Sequence, residues 1–564
     1  MRRKRPLLQR VFNRNNRAVA FALRLLSFVA SKLGLVRLIQ TKPVRWVVRA
    51  IVLVFALLLR ALKRVRRFVD KILHAHWFYH TWTTLLTIAA CGLLGWRIIL
   101  SPLVAASVVL VLLYVIFVMV RPFEAFLVWI VAAPLFQAHN IELGRRIPNM
   151  TFDRVALTLI LVTVVVRKLL SRKMAGRLDV ADIAIGTFVI ISTANVLLAR
   201  ITGGSLAIFS REMKIQETVT TIQTYADHYL YAFATFYIVR NVVDNQRRIG
   251  LVLIAIAAIA VYLVPIGVYE HFSGKSWFTE TRELHWADAN RAAGPFKNPS
   301  VYGTVLGVCF VIALHRFFQT RLAIRRIIYA LGLLAIVAGL VMTFTRAAWL
   351  GPAVALLALV AFYPGKRKVI TAWIVAGVFI ILLALPAIKA SPLYERRILY
   401  RRPIESRVLI ARNSIEMFKD KPVFGVGINN FDFYKRFYPV YIPGTEGYVG
   451  PTSHNTFLTI LVETGLVGFI PYVAVLAILA WRWLITYIRA PANPQVGSRQ
   501  LVAAIGTATI CYFVTASLVD MRFFRYVEYL FWLLLGLVAV QYAMLQTRRE
   551  QHAAPVSEVA VKAA

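Results

Sequence analysis

Residues 250–269 read GLVLIAIAAIAVYLVPIGVY, twenty consecutive positions without a charge. A bilayer hydrocarbon core is about 30 Å thick, and roughly 20 apolar residues cross it at the helical rise, so this stretch can span a membrane once. Outward from it, comparable stretches recur at 81–98, 102–120, 123–137, 150–166, 179–198, 222–240, 300–316, 327–345, 347–363, 369–389, 457–485, 500–520 and 526–545. The stretch at 123–137 is short enough to be re-entrant. The sequence therefore predicts an all-α polytopic membrane protein of about 12–14 transmembrane helices.

Composition agrees. Of the 564 residues 59% are hydrophobic and 16% charged, and the mean hydropathy is +0.67. Soluble domains run at about 45–50% apolar and 25% charged, so an ordinary soluble enzyme and a disordered chain are both excluded. The 66 Lys and Arg against 25 Asp and Glu leave a net charge of +41. Such a balance suggests nucleic acid at first sight, but its placement argues against that partner. Base gathers in the short connections RKLLSRKMAGR (167–177), RNVVDNQRR (240–248), HRFFQTRLAIRR (315–326) and PGKRK (364–368). All four fall on the cytoplasmic side if the N-terminus starts there, and the C-terminus then returns to the same side. Cys91, Cys309 and Cys511 lie in apolar runs without CxxC spacing and read as small core residues.

The expected organisation is a basic amphipathic arm at 1–78, an N-terminal transmembrane bundle at 79–389, an extracytoplasmic loop with an amphipathic helix at 390–456, C-terminal transmembrane helices at 457–546 and a disordered tail at 547–564. Residues 1–75 hold 19 Lys and Arg and one acid, Asp70, among apolar clusters too short to span. This reads as an interfacial arm on anionic lipid headgroups, with no cleavable signal peptide.

The loop at 390–456 breaks the positive-inside trend, because Arg396, Arg397, Arg401, Arg402, Arg407 and Arg412 stand on the outer side. Topology does not account for them, whereas an anionic ligand or acidic partner does, the alternative being a solvated helix face with outer-leaflet lipid contacts. Within the loop, IESRVLIARNSIEMF (404–418) places Ile404, Val408, Ala411, Ile415 and Phe418 on one helical stripe, with Leu409 and Ile410 off it. Asp420, Pro422, Gly425 and Gly427 end the helix, and Phe431, Tyr434, Tyr438 and Tyr441 follow as faces suited to sugar rings or a membrane interface.

His454 stands where the chain re-enters the membrane, placed for a neutral imidazole to take a hydroxyl proton. Glu463, nine residues on, is an acid inside a span and is expected to face the bundle interior and pair there. Arg291, Arg346, Arg407 and Arg412 together suit a pyrophosphate, whose oxygens match the guanidinium fork. Walker A, HExxH and GxSxG patterns are absent. The acids near His285 (Glu280, Glu283 and Asp288) lack metal-ligand spacing.

SRVLIARNSIEMFKDKPVFGVGINNF (406–431) followed by SHNTFLTILVETGLVGFIPYV (453–473) resembles the signature region of the O-antigen ligase and O-antigen polymerase superfamily. An arginine opens an amphipathic helix, an acid and a proline precede GxGxxxF, and HNxxL continues to ExGxxG. FTRAAWLG (344–351) and RAAGPFKNPSVYG (291–303) resemble two further elements, and the likeness covers roughly 290–475. It implies a C-type glycosyltransferase-like bundle without metal or cofactor, in the bacterial inner membrane, with both termini cytoplasmic. The donor it implies is a glycan on undecaprenyl pyrophosphate, and the acceptor another glycan or lipid A core. By the same resemblance His454, Arg407 and Arg346 are the expected catalytic residues, and Arg291, Arg412, Glu463 and Asn455 the expected substrate-binding ones. Ala411 and Ser300 depart from the usual tryptophan and asparagine, and the basic arm is unlike compact ligases. A lipid-linked glycan flippase, a protein O-oligosaccharyltransferase and a basic membrane scaffold are the alternatives.

Overall fold

The computed structural model describes residues 113–136, 151–170, 179–201, 221–278, 291–390, 402–438, 453–491 and 498–553. The basic arm, the expected span at 81–98, most of that at 102–120, Cys91, the acids around His285, and Arg396, Arg397, Arg401 and Tyr441 lie outside the described residues.

The helices are α1 (Pro122–Phe136), α2 (Phe152–Leu170), α3 (Val180–Ile201), α4 (Tyr231–Val242), α5 (Gln246–Ser273), α6 (Pro299–Gln319), α7 (Ala323–Val341), α8 (Arg346–Phe362), α9 (Arg367–Ala390), α10 (Arg402–Asp420), α11 (Thr456–Arg489), α12 (Arg499–Ala516) and α13 (Arg525–Ala553). Each of the twelve spans expected from residue 123 onward falls on one of them, and no strand occurs among the described residues. Eight (α3, α5, α6, α7, α9, α11, α12 and α13) are long and apolar enough to cross a bilayer. The chain is an all-α, multi-pass membrane protein.

The core lies on α6, whose spanning window is 78% buried and which packs against α5, α7, α8 and α12. α9, at 6%, is nearly all outward-facing. Small residues let α6, α8 and α12 meet closely: a Cβ on Gly307 would sit 2.5 Å from Pro352 Cγ and 2.8 Å from Cys511 Sγ. Cys309 and Cys511 are buried free thiols. Asn298 starts α6 by accepting the Ser300 and Val301 amides, with Pro299 in the first turn.

The connections rich in base share one end. Lys168 Nζ donates to Asn241 Oδ1 at 2.9 Å, Gln319 to Gln500 at 2.6 Å, and Gln500 to the Pro364 carbonyl. Arg482 and Arg240 meet Asp179 there. The opposite end carries Arg291, Arg346, Arg407 and His454 and is the outer end by the positive-inside trend.

Two elements differ from expectation. α13 continues to Ala553, because QTRREQHA holds good helix formers and no proline comes before Pro555. α10 forms where expected but packs by another face: Ile410, Asn413, Ser414 and Met417 are buried, while Val408 and Ile415 are 57% and 45% exposed. Met417 joins Val426, Phe431 and Val462 in a small core. The polar residues on that face are satisfied, Ser414 Oγ by the Ile410 carbonyl at 2.7 Å and Asn413 by the Tyr438 carbonyl, so burying them costs little.

Candidate active site

His454 is held in a backbone conformation that L-residues rarely adopt, with φ +54°. Its neighbours fix it. Ser453 Oγ donates to the Asn455 carbonyl at 2.7 Å and accepts the Asn455 amide at 3.1 Å. Asn455 caps α11 through the Leu458 amide at 3.0 Å and donates to the Ser517 carbonyl at 3.0 Å. Thr456 Oγ1 donates to the Val519 carbonyl and accepts the Met521 amide. The SHNT segment is thus locked to the α12–α13 connection. The other described non-glycine residues with positive φ are Lys297, Phe344 and Asn429. All lie at the outer end, and such strain costs on the order of 1–3 kcal/mol each and gathers at functional sites.

Arg407 is half-buried on α10. Burial, and then the Arg346 charge, pull its guanidinium below the ordinary value. Burial, and then Arg407, hold the His454 imidazole below its ordinary value, against an opposing pull from Asp520. Arg346, Arg407 and His454 therefore stand within electrostatic reach of one another, and the imidazole is neutral at pH 7. Among the described residues, no carboxylate or hydrogen-bond acceptor meets Arg407. Arg291 reaches this group through the chain before Arg346: its Nε donates to the Thr343 carbonyl at 2.9 Å and its Nη2 to Thr345 Oγ1, bracing the strained turn at Phe344. Glu270 seats the Arg291 loop by accepting the Ala293 and Gly294 amides at 2.8 and 2.7 Å. Arg412 is exposed and, five residues on, lies about 140° around α10 from Arg407, away from the group.

The two glycine motifs form one device. α11 is broken at Gly465, with φ 61° and ψ −171°. In an unbroken helix the amides of residues 466 and 467 would donate to the carbonyls of 462 and 463. Here Leu466 and Val467 donate instead to the Pro422 and Val423 carbonyls at 2.8 and 3.1 Å, while Val426 and Gly427 donate to the Val462 and Glu463 carbonyls, both at 2.9 Å. The loop after α10 has inserted into the helix break and satisfies it. Backbone meets backbone: a Cβ on Gly465 would lie 2.3 Å from the Val423 oxygen, and one on Gly425 2.5 Å from the Val462 oxygen. Asn195 clips the loop from α3, bonding the Phe424 carbonyl at 2.8 Å and the Ile428 amide at 3.1 Å.

Glu463, buried as expected, accepts the Asn429 amide at 3.2 Å and Arg522 Nη1 at 2.8 Å. Arg522 is the hub. Its side chain is 1% exposed and it grips Asp520 through two bonds at 3.0 and 2.9 Å while reaching Tyr229 at 2.8 Å. Burial opposes its charge, but Asp520, Tyr229 and Glu463 hold it well above its ordinary value. Burial likewise works to raise Asp520, and Arg522 outweighs it. Tyr229 and the buried His228 stand on a π-helical turn, Ala226–Leu230, of a kind that recurs at functional sites. Beside them Arg154 bonds Asp227 at 2.9 Å and Arg525 reaches Asp153 at 3.9 Å. Sequence reasoning left out Asp520, Arg522, Arg525 and Tyr229. The signal available was DMRFFR (520–525), two arginines between spans at the outer end, the same breach of the positive-inside trend that marked the α10 loop.

Among the described residues no three His, Cys, Asp or Glu side chains group as metal ligands would. What the arrangement offers is a strained neutral imidazole beside two guanidiniums, one of them without a partner among the described residues.

Residues 330–473 match the family model described as O-antigen ligase, so the resemblance carried by the motifs is borne out over that segment. It contains Arg346, Arg407, Arg412, His454, Asn455 and Glu463, and ends before Arg522. A curated relative, the teichuronic acid biosynthesis protein TuaE of Bacillus subtilis (strain 168), is 24% identical over 345 residues. The match covers 56% of this chain and 65% of the relative, so the chain spans just under two thirds of the relative's length.

Proposed function

From the O-antigen ligase match over residues 330–473, we propose that this chain is a membrane glycosyltransferase of cell-surface polysaccharide biosynthesis. It moves a glycan from undecaprenyl pyrophosphate to an acceptor hydroxyl at the extracytoplasmic face of the bacterial inner membrane. The observation that carries the reading is Arg407, a half-buried cation beside a like charge and a neutral histidine, with no partner among the described residues. A buried charge is costly unless an opposite charge meets it, and a pyrophosphate is that charge.

In the reaction the acceptor oxygen forms a bond to the anomeric carbon as the bond from that carbon to the pyrophosphate oxygen breaks. The hydroxyl proton passes to the His454 imidazole, and the bonding pair leaves with the lipid pyrophosphate. Arg346 and Arg407 stabilise the charge developing on the leaving group, a role worth several kcal/mol in a water-poor site. Arg291 and the Glu463–Arg522 pair act by positioning: the first holds the turn that presents Arg346, and the second holds the seat of α11 beneath His454. Asn455 acts through the backbone that strains His454, and Arg412 is left for the outer reach of the acceptor or donor glycan. Both termini are cytoplasmic in this reading, and the basic arm lies on anionic headgroups. The acceptor is a second lipid-linked glycan or lipid A core. The relative's part in teichuronic acid biosynthesis favours polysaccharide assembly as the process.

The test is deletion of the gene with analysis of surface polysaccharide and lipid-linked donor, then complementation with wild type, His454→Ala and Arg407→Lys. Both variants are expected to insert normally, accumulate donor and fail to restore polymer. Full complementation by His454→Ala would sink the assignment.

A further inference from the structure

At the end of the bundle opposite His454, three connections converge on a cavity of about 570 Å³. Its walls carry Arg121, Arg167, Lys168 and Arg248 against one acid, Glu124. The cations come from three separate places in the chain: the junction between helical residues 113–120 and α1, the end of α2, and the start of α5. Each is held in place. Arg167 Nη2 donates to the Met119 and Val120 carbonyls, the second at 2.9 Å. These carbonyls end a helix that Pro122, lacking an amide hydrogen, cannot continue, so they take a side-chain donor instead. Arg248 donates to the Val242 carbonyl and pairs with Asp244 at 2.8 Å, its guanidinium 4.8 Å from the centre of the Phe123 ring. Lys168 rests on Asn241 Oδ1. No carboxylate meets Arg167 among the described residues, and Glu124 answers Arg121 only at 4.0 Å.

We propose that this cavity binds the phosphate of an anionic lipid. A scatter of basic residues at this end would be explained by topology alone. Here four cations from separate connections line one concavity large enough for a headgroup, with a single acid among its walls. Apart from Asn241 its remaining wall is apolar, with Phe123, Val164 and Val242 beside the guanidiniums. Free phosphate needs no apolar wall, whereas a lipid presents acyl chain where its phosphate ends. Basic pockets between helices at the cytoplasmic interface suit such headgroups.

The test uses the purified full-length chain in detergent, titrated with phosphatidylglycerol, phosphatidylcholine or inorganic phosphate and read by native mass spectrometry. Phosphatidylglycerol is expected to bind and phosphatidylcholine to bind far more weakly. Replacing Arg167 and Lys168 together by Gln is expected to weaken phosphatidylglycerol binding about tenfold. Arg321→Gln with Arg325→Gln removes the same charge at the same end from exposed positions outside the cavity and is expected to change it less than twofold. Glu124→Gln removes only the weak contact to Arg121 and is expected to tighten binding about threefold, which keeps the test decisive where loss of Arg167 unsettles the fold. Equal losses in the two double variants, no change in Glu124→Gln, or displacement of the lipid by millimolar inorganic phosphate would each overturn the proposal.

Discussion

At one end of the bundle arginines meet carboxylates, and at the other two of them act on each other as like charges. Arg240 and Arg482 close on Asp179 and Asp182 where α3, α4 and α11 converge, and every described non-glycine residue there has negative φ. At the outer end Arg346 depresses the Arg407 guanidinium, and four described non-glycine residues have positive φ. The same residue type thus does opposite work. Balanced pairs on regular helix ends hold the fold, while a half-buried guanidinium beside a like charge costs stability that a bound anion would return. Elsewhere at that end Arg522 is answered by both Asp520 and Glu463, so the outer end is a charged site on an ion-paired support.

The largest test removes the imidazole. His454→Ala is expected to lower turnover about 10³-fold, the range that general bases supply, with membrane insertion and thermal stability close to wild type because the SHNT turn is made by Ser453, Asn455 and Thr456. Loss of folded protein instead would place His454 among the supports.

Arg407 comes next, through two substitutions that separate charge from shape. Arg407→Gln is expected to lower kcat/KM about 10²-fold. It also moves the acid limb of the pH profile: burial and Arg407 both depress the imidazole, so without Arg407 the pKa of His454 rises and the neutral base is lost at higher pH. Arg407→Lys keeps the field and forfeits the planar fork, so the limb stays where it is while kcat/KM falls about tenfold. An unmoved limb in Arg407→Gln would dissolve the pairing.

The helix break separates support from site. Gly465→Ala drives a Cβ to 2.3 Å from the Val423 oxygen at positive φ, and a loss of roughly 3 kcal/mol is expected. It would appear as a lower melting temperature in detergent, with turnover per folded molecule reduced severalfold as the loop beneath His454 shifts. An unchanged melting temperature would show that the loop does not insert there.

Much of this was legible in the sequence, and the reasons are physical. Bilayer thickness sets span length, so α5 or α6 could be bounded from apolar run length alone. His454, Arg346 and Arg407 were legible through ordered motifs and a charge anomaly. The packed face of α10 was not, because counting apolar residues favours Val408 and Ile415, whereas the face chosen holds Asn413 and Ser414, whose polar atoms find partners only in three dimensions. The Arg522 hub escaped for a similar reason: Tyr229, Glu463 and Arg522 meet from far-apart segments, and no local pattern records that meeting.

The smallest expected effect on chemistry lies at the balanced end, and it is the sharper edge of the comparison. Burial works to raise the Asp179 carboxyl, and the hydrogen bonds and charge of Arg482, with Arg240, outweigh it, so the group sits below the ordinary carboxylate range. A depressed carboxylate adds stability that is present above that range and is lost as pH falls through the folded-state value. Asp179→Asn should therefore lower the melting temperature at pH 7, and by progressively less as pH falls below the ordinary carboxylate range. The loss is roughly 1–3 kcal/mol, below that of a fully buried pair, because the Asp179 side chain remains 22% exposed. Turnover per folded molecule should stay within about twofold of wild type, since the pair serves the fold at the end away from His454. A tenfold fall in turnover with the melting temperature intact would mean that Asp179 reports across the membrane to the site, and the division of labour between the two ends would fail.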